Sequence, residues 1–107
     1  MTYIVNLTFA EESANLTAVE QWLKEVGMPI AANSDSGVTA SKLLKIIEVP
    51  GDPEFLKEGG NISLQLDFNH LDTAHAWLTD YLEPLTEGYA ATFERQALCF
   101  VTILEQL

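Results

Sequence analysis

Two stretches of this chain alternate so regularly that they constrain everything around them. In "YIVNLTF", residues 3–9, Tyr3, Val5, Leu7 and Phe9 form an apolar set, against a more polar set of Ile4, Asn6 and Thr8. In "NISLQLDF", residues 61–68, Ile62, Leu64, Leu66 and Phe68 oppose Asn61, Ser63, Gln65 and Asp67. Side chains along a strand point to opposite faces in turn, so a period of two marks a strand with one face buried and the other open. A one-residue slip would carry all the apolar side chains to the wrong face, so the register is strongly specified.

The apolar faces need cover, and two segments have helical spacing. In "TAVEQWLKEVG", residues 17–27, Leu16, Val19, Leu23 and Val26 fall on one stripe with Trp22 at its flank. Thr17 and Glu20 have capping-box spacing, Gly27 is the expected residue just past the helix end, and Pro29 is a stop, with "MPIAA" adding a short helical turn. In "LDTAHAWLTDYLE", residues 71–83, Ala74, Trp77, Leu78, Tyr81, Leu82 and Leu85 follow the same rule, with Asn69 or Asp72 as cap. Pro84 suits the first position of a restarted helix carrying Leu85, Tyr89 and Phe93.

Two more strands complete the set. Residues 39–49, "TASKLLKIIEV", put Leu44 and Ile46 on one face and Leu43, Ile47 and Val49 on the other. Lys42 and Lys45 lie one on each face, as a charged edge strand would have them. A long loop, 50–60, follows, in which Phe55 and Leu56 are expected to tuck back and Gly59-Gly60 to form a turn. The chain closes with "LCFVTILEQL", residues 98–107: Leu98, Phe100 and Leu104 on one face, Cys99, Val101 and Ile103 on the other. The order β-α-β-β-α-β predicts one α+β domain over residues 1–107, a ferredoxin-like four-stranded antiparallel sheet in order 4-1-3-2 with both helices on one face.

That topology poses a question about the second face. Its centre is polar, with Asn6, Thr8, Ser63, Gln65 and Asp67, but its flanks on strands 2 and 4 are apolar. Leaving five or six such side chains wet forfeits roughly 1.5–3 kcal/mol each relative to burial, and small monomers seldom expose so large a patch. A second copy laid sheet against sheet is the economical cover, so a homodimer is expected. The five polar residues would then line an enclosed space and are the candidate ligand-binding set.

Charge and cysteine content narrow the possible partners. Five Lys and Arg against sixteen Asp and Glu leave a net charge of −11, which disfavours nucleic acid and anionic membrane surfaces. No apolar run reaches the ~20 residues of a membrane span. The amino terminus lacks a basic, apolar leader and reads as a first strand, so a cytoplasmic protein is expected and the acceptor-like triplets at Asn6, Asn15 and Asn61 are coincidental. The single Cys99 permits no internal disulfide and reads as a small hydrophobe within a strand.

Taken together, "YIVNLTF", "QWLKEVGMPIAA", "LLKII" and "PLTEGYAATFERQALCFVTILEQ" resemble the dimeric α+β-barrel superfamily. Within it they are similar to a bacterial family of small proteins known only as a domain of unknown function. The resemblance spans nearly the whole chain and implies a dimer but no established activity. It also implies an Arg ahead of the Thr-hydrophobic-Leu-Glu ending, where Val101 stands here. The wider superfamily includes cofactor-free monooxygenases, haem enzymes and sensors, so fold alone does not assign function.

No catalytic constellation emerges from the residues. His70 and His75 are five apart rather than three or four, and Asp72 is wanted as a cap, so surface and capping roles outweigh metal ligation. Asp80, Glu83 and Glu87 form a solvated stripe; Trp22, Trp77, Tyr81, Tyr89 and Phe93 sit at core spacing. Neither a metal nor a cofactor is expected. The reading is a homodimer that binds a small molecule or a protein partner. The alternative is a cofactor-independent enzyme of monooxygenase or isomerase type, with Asp67 or a histidine as base.

Overall fold

The computed structural model describes residues 1–107. Four strands, β1 (Tyr3–Glu12), β2 (Ala40–Lys45), β3 (Gly59–Phe68) and β4 (Cys99–Glu105), form one antiparallel sheet in the order β2-β3-β1-β4. The helices are α1 (Leu16–Trp22), α2 (Met28–Ala31), α3 (Leu71–Asp80) and α4 (Leu82–Phe93). The two strands that alternate most regularly are the central pair, matched along all ten residues from Tyr3 opposite Phe68 to Glu12 opposite Gly59. This is the expected ferredoxin-like α+β arrangement.

Register sorts the faces. Val5, Leu7 and Phe9 of β1 and Ile62, Leu64, Leu66 and Phe68 of β3 are all buried on the helix side. Each such side chain contributes roughly 1.5–3 kcal/mol on burial. They pack on Val19, Trp22 and Leu23 from the first helical segment and on Ala74, Trp77, Leu85 and Tyr89 from the second. Tyr89 is the hub at one end of the core. Its ring stacks on Phe9 at 5.9 Å, meets Trp22 edge-on at 5.8 Å and tilts against Phe93 at 4.8 Å. At the other end Trp77 donates its indole N–H to the Ala31 carbonyl at 2.9 Å, so its one polar atom is satisfied inside the core.

The helix ends differ from expectation. No capping box forms: α1 begins at Leu16 after a 3-10 turn over Ser13–Asn15, and Asn15, the cap residue, makes no side-chain bond. Glu20 instead binds Lys45 of β2 at 2.6 Å and Lys24 at 3.5 Å. Gly27 does not end the helix. It keeps right-handed angles (φ −63°), and a π-turn over Leu23–Gly27 carries α1 into α2. The wider turn shifts the helical phase, leaving Val26 exposed and Gly27 buried. Gly27 is there for space, since a Cβ would press on Trp22 and Leu23 at 3.0 Å. Pro29, which cannot donate, falls in the first turn of α2.

The second helical segment breaks at Tyr81, and Pro84 is the third residue of α4, not its first. His70 precedes α3, and neither Asn69 nor Asp72 caps it through a side chain. β2 stops at Lys45, short of Val49, although the Ile46 N–H still reaches the Asn61 carbonyl at 3.3 Å. Phe55 stays exposed while Leu56 is half-buried.

Gly59 and Gly60 are not a turn but the first two residues of β3. A Cβ on Gly59 would overlap the Glu11 carbonyl oxygen of the paired strand, so glycine is what lets the two backbones close at this end. Gly59→Ala is expected to lower unfolding stability by about 2–3 kcal/mol. Gly51→Ala, at a left-handed position (φ 87°) with open space around it, is expected to lose only about 1 kcal/mol. Urea unfolding of the two variants beside the parent chain measures the difference, and equal losses would contradict the close approach.

Candidate functional site

The five polar residues picked out from the sequence do share one face. In register, Thr8 lies opposite Ser63, Asn6 opposite Gln65, and Ile4 opposite Asp67, all on the side away from the helices. The Asn6 amide N–H donates to Thr8 Oγ1 at 3.1 Å, and the Thr8 and Ser63 hydroxyls meet at 3.4 Å. Asn6 Oδ1 is buried and has no donor within the chain, a state that a satisfied polar cluster avoids. Gln65 and Asp67 are half-buried, and neither is bonded to another side chain. The patch lies on the open sheet surface, and none of the molecule's three clefts includes any of the five.

Apolar side chains flank this patch. Leu44 and Ile46 stand out from the β2 side, and Leu98, Phe100 and Leu104 from the β4 side. Leu98 and Phe100 are each 58% exposed. Phe100 lies beside Thr8 and Leu104 beside Ile4, so the apolar flank runs directly along the polar centre. Val101 and Ile103 point to the helix side of β4 but remain partly exposed, because the helices stop short of this edge.

A second feature, which the sequence reading did not reach, sits at the end of the sheet. Glu11 continues the helix-side series Val5, Leu7, Phe9, so a carboxylate falls where the pattern places an apolar residue. Its side chain is only 4% exposed and is held by Arg95, whose Nη2 donates to Glu11 Oε2 at 2.8 Å. A buried carboxylate without such a partner would be strongly destabilising. The same Nη2 donates to the Tyr89 hydroxyl at 3.2 Å, and the guanidinium lies over the Phe93 and Tyr89 rings at 5.1 and 5.5 Å. The chain reaches this position because Glu94 ends α4 in a left-handed conformation (φ 57°), turning Arg95 back over the last helical turn. Around the ion pair opens a cleft of about 610 Å³, walled by Phe55, Gly59, Gly60, Asn61, Gln96 and Leu98 among others.

The remaining candidates take structural positions. His70 and His75 are exposed, one ahead of α3 and one on it. No three His, Cys, Asp or Glu side chains come together as a metal-binding group, and no helix is long and apolar enough to cross a membrane. Cys99 lies opposite Phe9 on the helix side, where burial pushes its thiol up to about 11. The thiol therefore stays protonated at neutral pH and is a poor nucleophile. Its alkylation at pH 8 is expected to run roughly 100-fold slower in the folded protein than in urea. The raised folded value also means that stability falls as pH climbs from about 9 towards 11. Equal alkylation rates in both states would contradict this placement.

Comparison with known proteins agrees with the fold just described. An EthD family protein from Bacillus halodurans superimposes with a TM-score of 0.71 at 13% identity, covering 100% of both chains. HapK from Hahella chejuensis gives 0.63 at 16% identity over 100% of this chain and 93% of its own. SnoaB, a cofactor-independent oxygenase from Streptomyces nogalater, gives 0.56 at 11% identity over 98% and 91%. At these identities the likeness is one of fold. No curated protein sequence matches this one. Residues 2–107 match the model of a domain of unknown function, DUF4286, and the chain belongs to that family.

Proposed function

We propose that this protein works as a homodimer, sheet against sheet, and that it binds a small molecule or a protein partner at the polar centre of that interface. The observation carrying the proposal is the unpartnered open face, with Leu44 and Ile46 at one flank and Leu98, Phe100 and Leu104 at the other. Two copies related by a twofold axis bury these flanks together, each contributing the same surface. The centre then brings Asn6, Thr8, Ser63, Gln65 and Asp67 from both copies towards one space. Asn6 Oδ1, which lacks a donor within the chain, would accept one from the ligand or from the second copy.

The fold likeness to a cofactor-independent oxygenase keeps an enzymatic role in view. Among the five polar residues only Asp67 has the chemistry of a general base. Binding needs no such group.

Light scattering behind size exclusion is expected to give a mass near twice 11.8 kDa at low micromolar concentration and moderate salt. Replacing Phe100 and Leu104 together with Glu removes two apolar contacts per copy and is expected to weaken association by at least 100-fold. That variant should run at 11.8 kDa with an unchanged far-ultraviolet spectrum. Because each copy carries −11, the parent dimer should also tighten as salt rises from low ionic strength. A parent chain that stays at the monomer mass would overturn the proposal.

A further inference from the structure

The cleft at the end of the sheet borders the open face, with which it shares Leu98, and its chemistry is distinct. Its volume of about 610 Å³ falls within the roughly 300–1,000 Å³ of small-molecule sites. Arg95 is its only cation, and that charge is already matched by Glu11 at 2.8 Å. Two further carboxylates in the lining, Glu12 and Glu58, have no ion-pair partner. Three carboxylates against one guanidinium leave the cleft at −2, on a chain that is itself strongly acidic.

Apolar surface lies beside this charge. Phe55 and Leu98, both in the lining, are 46% and 58% exposed with no packing role in the core. Asn15, Asn61 and Gln96 add neutral amides. A concave site with an exposed aromatic ring and surplus negative charge repels anions and favours a cation carrying an apolar body. Arg95 cannot reverse that preference, because releasing it would strand the buried Glu11 carboxylate.

We propose that this cleft binds a small organic cation, an amine with an aromatic or branched apolar body. The ammonium group is held by Glu12 and Glu58, and the body lies against Phe55 and Leu98. The ion pair of Arg95 and Glu11 forms a rigid, electrically neutral floor.

Tryptamine and indole-3-acetate share a ring and differ in the sign of their charge, so together they probe this site. Titrating each into the ¹⁵N-labelled protein at pH 7 and fixed ionic strength should give saturable shifts with tryptamine, centred on residues 10–12, 58–61 and 95–98. Indole-3-acetate should bind at least ~10-fold more weakly. Glu12→Gln combined with Glu58→Gln should weaken tryptamine by about 5–10-fold while leaving the fold intact, since both side chains are exposed and unpaired. The same titration on the Phe100→Glu, Leu104→Glu variant separates this site from the dimer. Those substitutions leave every lining residue in place, and saturable binding should persist there. Absence of saturable shifts, equal or tighter binding of the anion, or loss of tryptamine binding in that variant would each overturn the proposal.

Discussion

The pairing of β1 with β3 is the constraint on which the rest of the molecule depends. Ten residues of each strand match without a bulge, and the sequences alternate from Val5 to Phe9 and from Ile62 to Phe68. Once Val5 faces the helices, Leu66 must face them too, and Asn6 and Gln65 must face away. The helices are obliged to cover the apolar side. The open side is obliged to carry a polar stripe down its middle. The edge strands then decide what becomes of the open side. Because β2 and β4 each present leucine, isoleucine or phenylalanine there, the folded chain has a face that is neither core nor ordinary surface.

A second tie secures the far end of that pairing. Glu11 and Arg95 are 84 residues apart in the chain yet join the end of β1 to the residues just past α4. The bond forms where β1 runs beyond the aromatic hub of Phe9, Tyr89 and Phe93. Stacking of the guanidinium on two of those rings fixes its plane, and the carboxylate takes the end of it. Gly59 lets the opposing strand close against Glu11 at the same place. Core packing, the ion pair and the glycine thus converge on the wall of the largest cleft.

Much of this was legible in the residues. The strand order follows the β-α-β-β-α-β succession by analogy with ferredoxin-like folds, while the helix side of the sheet and the location of Asn6, Thr8, Ser63, Gln65 and Asp67 on one open face follow from period-two alternation, a local signal. The helix ends were less legible. Thr17 and Glu20 have capping spacing, but the chain leaves β1 through a 3-10 turn and Glu20 finds Lys45 on a distant strand. Gly27 and Pro29 look like a stop, yet the glycine serves to make room for Trp22, and the helix passes through in a π-turn. The cleft was least legible, since its ion pair joins residues with no local spacing to reveal them. One clue was present: Glu11 falls on the apolar side of an alternating strand, and a carboxylate there requires a partner.

Direct contact between the open faces of two copies is the central claim, and intermolecular nuclear Overhauser effects observe it directly. A sample mixed from ¹³C-labelled and unlabelled chains, filtered for contacts between the two, reports only proximities across an interface. Cross-peaks are expected from the methyl groups of Leu44, Ile46, Leu98 and Leu104 in one copy to open-face protons of the other, Phe100 among them. Cross-peaks confined to the helix layer, at Val26 for example, or none at all, would show that the open face is not where two copies meet.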